Sequence, residues 1–274
     1  MQPVRHDVTL YPEPWFQDHA FAGNTILPAV ESMALLAISA QKHCPTTKIS
    51  TMDQAEFPRF LIVPDKRPIP CVIELAEKEQ QLQATLYSRK TAGKFSRLVK
   101  HAALSFGNNN LLPPVEQIAN SSPDTLTLSA KTIYSELVPF GAAYQNLISA
   151  DICHQSCVAR LRTPPLPITC PALGSPFLLD SAMHGACVWG QRFAGFVPFP
   201  VGFKHRRIIT PSLADSLYEA NIIPVLSQAE ELVIDMDIVD MAGNMVEQIR
   251  GLQMRDVSKG TILPPDWIRL QEKK

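Results

Sequence analysis

Two apolar stretches with helical spacing, ILPAVESMALLAISAQKH over 26–43 and FLLDSAMHGACVWGQRF over 177–193, are each followed by a train of strand-like runs. The first train reads ISTMDQAEFPRFLIV, PIPCVIELAE, QLQATLYSR and FSRLVKHAALSF; the second reads VGFKHRRII, DSLYEANIIPVL, AEELVIDMDIVD and NMVEQIRGLQMRDV. Alternating apolar and polar residues mark half-buried antiparallel strands, and the i, i+3, i+4 spacing marks helices. One long helix accompanied by several antiparallel strands buries its apolar stripe by wrapping a curved sheet around it, an α+β arrangement. The order occurs twice with little identity between the halves, which implies a repeat of architecture and a pseudo-dimer within one chain. Between the halves, three asparagines with Pro113, Pro114 and Pro123 read as a linker. The expected division is an N-terminal repeat over 1–108, a linker over 109–125 and a C-terminal repeat over 126–274. A strand-like approach over 147–162 and a proline-rich turn lead into the second helix, and Met241–Asn244 forms the turn between the last two strands.

With 274 residues the chain is long enough to bury a substantial core as one or two domains. Its net charge of −1 gives no electrostatic reason to expect nucleic acid or an anionic membrane as partner. No run approaches the ~20 apolar residues of a membrane-spanning helix. The N-terminus MQPVRHDVTLYPEPW lacks the apolar core of a signal peptide, so a cytoplasmic location is expected. The six cysteines make no CxxC pair and are expected to be reduced. Cys153, His154 and Cys157 have a spacing that a metal site can use, but on a plain strand i and i+4 lie ~13 Å apart. The strand is the expectation here.

Two constellations carry possible chemistry. His19 is followed by Gly23 and Pro28 in an H-x3-G-x4-P pattern ahead of the first helix. A histidine there lies near the exposed N–H groups of the helix start, a glycine permits close backbone approach to a ligand, and an imidazole of near-neutral pKa suits removal of a proton next to a carbonyl. The plainer reading is a loop histidine that caps the helix or satisfies a backbone carbonyl. Asp180 and His184 stand four apart on the second helix and share a face among apolar neighbours. Burial there raises a carboxyl's pKa and makes it a proton donor, with His184 placed to fix its rotamer. The plainer reading is an exposed i, i+4 pair. Together, a base at one helix and an acid on the other form a two-sided proton-transfer site that needs no metal or cofactor.

These residues resemble the dehydratase domains of polyketide and polyunsaturated fatty acid synthases, which adopt a double hot-dog fold. The likeness rests on H-x3-G-x4-P in the first half and D-x3-Q/H in the second. DHAFAGNTILPAVESMALLA is similar to the polyunsaturated-fatty-acid type, LVPFGAAYQNL to the family's Y-G-P-x-F-Q stretch, FVPFPVGFKHRRI to its L-P-F-S-W region, and DMAGNMVEQIRGLQMR to its closing D-x-x-G hairpin. The resemblance implies that His19 removes the α-proton of a 3-hydroxyacyl thioester, Asp180 protonates the departing β-hydroxyl, His184 orients Asp180, and the Gly23 N–H holds the thioester carbonyl. It also implies Pro28, Gly141, Tyr144 and Gln145 as substrate-binding positions. The acyl chain would arrive on the phosphopantetheine arm of an acyl carrier protein, with no cofactor, and the protein would be a monomer or homodimer.

Four departures stand out: Phe140 replaces the family's tyrosine, Ala142 its proline and Tyr144 its phenylalanine, and Pro200-Val201-Gly202 lacks its tryptophan. Lys204, His205, Arg206 and Arg207 form the densest basic cluster, readable as a carrier dock or as a solvated strand edge that blocks aggregation. A double-bond isomerase or product-template-like cyclase would use the same base. A non-catalytic acyl- or carrier-binding scaffold would need neither His19 nor Asp180. No nucleophile elbow or nucleotide-binding glycine motif is present.

Overall fold

The structure, a computed structural model, describes residues 3–64, 67–79, 81–92, 95–107, 112–115, 124–228 and 231–269. In chain order the strands of the first half are β1 (Val4–Leu10), the two-residue β2 (Ala20–Phe21) and β3 (Asn24–Thr25), β4 (Thr51–Glu56), β5 (Ile69–Lys78), β6 (Gln81–Ala92) and β7 (Phe95–Phe106), with helix α1 at Ala29–His43. The second half holds β8 (Leu126–Ser129), a short α2 (Ala130–Thr132) that runs into a π-turn at Ile133–Leu137, β9 (Leu147–Cys153), β10 (Ser156–Arg162), α3 (Pro176–Phe193), β11 (Phe199–Ile208), β12 (Leu217–Gln228), β13 (Glu231–Asp240) and β14 (Met245–Arg255). Both helices and eight strands are present where expected, except that the first expected run, over 49–63, is a strand only over Thr51–Glu56.

Twelve strands make one antiparallel sheet in the order β1-β5-β6-β7-β4-β11-β14-β13-β12-β10-β9-β8. Its first five strands accompany α1, which packs on β5, β6 and β7; its last seven accompany α3, which packs on β9, β10 and β12. The halves join where β4 pairs with β11, each the first strand after its own helix, with Phe203 opposite Ala55 and Arg206 opposite Met52. The two helices touch across this seam. This is the double hot-dog arrangement. Because α3 is enclosed by the sheet on one side and α1 on the other, fifteen of its residues from Phe177 to Gln191 are buried, and its sequence is apolar nearly all round.

Two expectations change. The strand-like approach over 147–162 is a hairpin, β9 and β10 joined at His154–Gln155, with Cys153 and Ser156 side chains 3.2 Å apart. Among the described residues no cluster of metal-ligating side chains forms. The basic cluster lies on β11 in the middle of the sheet rather than at a free edge. Arg206 donates to Glu247 at 2.7 Å and lies against the sulfurs of Met33 and Met52, while Arg207 and His205 both donate to Asp53 at 2.7 Å. These charges are paired because the seam removes them from water, where an unpaired ion would be strongly unfavourable. Of the expected linker, only 112–115 and 124–125 fall among the described residues. There the Pro113 carbonyl accepts from Arg250 and the Val115 N–H donates to Asp237, which ties the segment to the second half's sheet.

Candidate active site

His19 ends a 3₁₀ turn over Pro14–Asp18, and its N–H closes that turn on Phe16. The chain does not run straight from His19 into the helix. It makes the β2–β3 hairpin, turning at Ala22 and Gly23 with φ of 48° and 76°. Two successive left-handed residues are the signature of a type I′ turn, which is what the glycine is for. The Ile26 N–H then donates to the His19 carbonyl at 3.0 Å, and the His19 Nδ1–H donates to the Ile26 carbonyl at 3.1 Å. Pro28, buried, stands at the N-cap of α1. The H-x3-G-x4-P spacing is therefore the length of one hairpin, with the histidine at its base, the glycine at its tip and the proline at the helix start. Since a carbonyl only accepts, Nδ1 carries the proton and Nε2 offers its lone pair.

The second half grips this turn. Asp18 accepts from the Gly141 N–H through its carbonyl at 2.7 Å and from the Ala143 N–H through its carboxylate at 2.8 Å. A Cβ at Gly141 would overlap that carboxylate, so the close approach requires glycine there. Gln145 donates to the Phe140 carbonyl at 2.8 Å and closes the same loop. Phe140 is thereby held stacked on His19, ring centroids 4.4 Å apart and planes at 18°, with its other neighbour His184 at 5.2 Å.

Asp180 and His184 lie on α3, and His184 Nε2 is 3.2 Å from Asp180 Oδ2. Burial, with the nearby Glu31 carboxyl adding to it, raises the Asp180 pKa to about 8. Burial and the proximity of His19 lower His184 to about 3. The contact is a hydrogen bond between neutral groups rather than an ion pair, because desolvation opposes the charge on both. Burial also lowers His19 to about 4, well below the near-neutral value expected for it.

His19, Asp180 and His184 line one cavity of about 360 Å³. Its walls are mainly apolar, including Phe21, Phe60, Phe199, Leu137 and Val197, with Ala29 and Ser32 from the start of α1. Along α3 it is bordered by Asp180, Met183, His184, Cys187 and Gln191. That is one helix face, ~16 Å long at 1.5 Å per residue. Gly23, Pro28, Gly141, Tyr144 and Gln145 are not among the lining residues. Gly23 is exposed at the hairpin tip, Pro28 starts the helix, Gly141 and Gln145 shape the loop behind Phe140, and Tyr144 is fully buried beside His19 and Phe177.

Sequence reasoning did not single out Glu31 or Tyr134. Glu31 sits in the first turn of α1, where an acid is ordinarily read as facing the helix dipole. The fold instead buries it, with Trp15 donating to its carboxylate at 3.4 Å and its pKa raised by burial to about 7. The Tyr134 hydroxyl is 3.2 Å from His184 Nδ1.

Two sequence-family profiles match the chain: the polyketide synthase dehydratase N-terminal domain over residues 114–262 and the polyketide synthase dehydratase domain over residues 2–89. No curated protein matches it. Solved structures with the same fold include the dehydratase domain from the CurJ module of the curacin polyketide synthase, 17% identical over 93% of this chain and 92% of that one, with a TM-score of 0.76. A trans-AT polyketide synthase dehydratase domain from Brevibacillus brevis is 15% identical over 93% and 94%, with a TM-score of 0.73. The enoyl-isomerase of a trans-acyltransferase polyketide synthase is 15% identical over 93% and 100%, with a TM-score of 0.67.

Proposed function

Because the chain belongs to the polyketide synthase dehydratase family, we propose that it removes water from a 3-hydroxyacyl thioester held on an acyl carrier protein to give the trans-2-enoyl thioester. The observation that carries this reading is the pairing of opposite protonation states in one apolar cavity. His19, with its pKa near 4, is a free base at neutral pH, while Asp180, near 8, still holds its proton. His19 Nε2 takes the α-proton. The C–H electron pair becomes the C=C bond as the β-carbon–oxygen bond breaks, and Asp180 protonates the departing hydroxyl as water. Passing the proton from His19 back to Asp180, directly or through water, restores the starting state. An apolar surround favours both neutral partners before reaction, and strengthens their interaction with the charge that develops during it. The roughly 16 Å helix face gives the acyl chain an apolar bed.

The test is incubation of the purified chain with 3-hydroxyacyl thioesters of several lengths on a carrier protein, following loss of one water by mass. The same assay begun from an enoyl thioester separates the isomerase reading, which moves the double bond and releases no water. Absence of dehydration and of reverse hydration at every length would overturn the proposal in favour of a scaffold.

A further inference from the structure

The hydrogen bonds behind His184 form a directed chain. Tyr134 lies in the π-turn Ile133–Leu137, whose wide loop is closed by the Val138 N–H donating to the Ile133 carbonyl at 2.8 Å. The Leu147 N–H donates to the Tyr134 oxygen at 2.7 Å. With that main-chain donor on its oxygen, the phenol directs its own proton at the acceptor beside it, His184 Nδ1 at 3.2 Å. An Nδ1 that accepts leaves the imidazole proton on Nε2, which then donates to Asp180 Oδ2 at 3.2 Å. The Asp180 proton is left to the other oxygen, on a side chain that lines the cavity.

We propose that Tyr134 is a positioning residue that locks the Nε2–H tautomer of His184 and so keeps the Asp180 proton directed at the substrate. In the opposite tautomer Nδ1–H points at the phenol and a bare Nε2 faces Asp180. The acid then donates to its own neighbour instead of to the leaving hydroxyl. The inference rests on the dehydration proposed above only for its catalytic consequence; the tautomer itself is a property of the resting protein.

Two measurements on the full chain test it. Nitrogen-15 NMR of the labelled histidines should show His184 as the Nε2–H tautomer in the wild type and a shift toward Nδ1–H in Tyr134→Phe. An Nδ1–H wild type, or a tautomer unmoved by the substitution, overturns the proposal. In turnover, Tyr134→Phe should lower kcat by ~10- to 100-fold, a fraction of what a positioned general acid contributes, with KM unchanged. A glutamine at 184 has an amide N–H that needs no tautomer to be set. Adding Tyr134→Phe to His184→Gln should therefore change kcat by less than about twofold. An equal loss in both backgrounds would reduce Tyr134 to packing and overturn the proposal. If the wild type turns over no 3-hydroxyacyl thioester, the functional reading fails while the NMR result still decides the tautomer lock.

Discussion

Replacing Asp180 by asparagine should destroy turnover and stabilise the fold, and the stabilisation should depend on pH in a calculable way. The folded-state pKa of Asp180 is raised from the ordinary 3.8 to about 8. Between those values the unfolded chain gives up the proton and the folded chain keeps it, so the group opposes folding increasingly as pH rises. Each pH unit is worth ~1.4 kcal/mol, which puts the opposition near pH 7 at roughly 4 kcal/mol. Asparagine has nearly the same shape and an oxygen that accepts from His184 Nε2–H, but its extra N–H is left poorly paired, at about 1 kcal/mol. The net gain is about 3 kcal/mol near pH 7 and close to nothing near pH 4.5.

Urea unfolding at both pH values checks this. With a denaturant slope of ~3 kcal/mol/M for a chain of this size, the Asp180→Asn midpoint should rise by about 1 M near pH 7 and stay put near pH 4.5. The competing arrangement, an ionised Asp180 bound to a charged His184, predicts the reverse: asparagine would strand a buried cation and lower stability by ~3–5 kcal/mol. A variant destabilised near pH 7, or a shift that ignores pH, would refute the neutral-acid reasoning.

His19→Ala should lower kcat by ~10³-fold with the circular dichroism spectrum intact, and lower stability by ~1 kcal/mol for the lost bond to the Ile26 carbonyl; turnover within tenfold of wild type would remove it from the base role. The kcat/KM profile should be a bell, lost as pH falls through about 4 because His19 gains a proton, and lost as pH rises through about 8 because Asp180 releases its own. Glu31→Gln removes a negative charge that discourages Asp180 from ionising, so it should move the upper limb, and only that limb, to lower pH in the same assay. Gly141→Ala forces a methyl into the Asp18 carboxylate and should lower stability by ~1–3 kcal/mol and reduce kcat, since His19 and Phe140 are both held through that contact; melting and single-turnover kinetics report the two effects.

The elements legible in the sequence are those whose pattern is local. β5, β6, β7 and β13 declare themselves because their buried positions recur largely with period 2, and α3 because it is a long run of mostly apolar residues opened by a proline. β1 does not: VRHDVTL pairs at the sheet edge with nearly every side chain partly or fully exposed, so no apolar alternation marks it. The β9–β10 hairpin is equally silent, since its turn at His154–Gln155 has no glycine, proline or asparagine. The basic run on β11 misleads for a different reason. Its partner Asp53 is about 150 residues away in sequence, and only the β4–β11 pairing brings that carboxylate beside His205 and Arg207.

The candidate site divides along the same line. Asp180 and His184 are visible together because i, i+4 is a local relation on a helix. Glu31 and Tyr134 are not, because their partners come from other elements: the Tyr134 hydroxyl meets a histidine fifty residues on, and Glu31 meets Trp15 from the turn that leads to His19. Spacing decides which groups share a face; what covers the face decides whether they are charged. On a solvated helix the same Asp–His pair would be an exposed contact worth a few tenths of a kcal/mol. Enclosed between the sheet and α1 it becomes an acid that holds its proton beyond neutrality. Local opening at the seam would therefore lower the Asp180 pKa before it separated Asp180 from His184, so catalytic competence depends on the two halves staying closed more than on the pair itself.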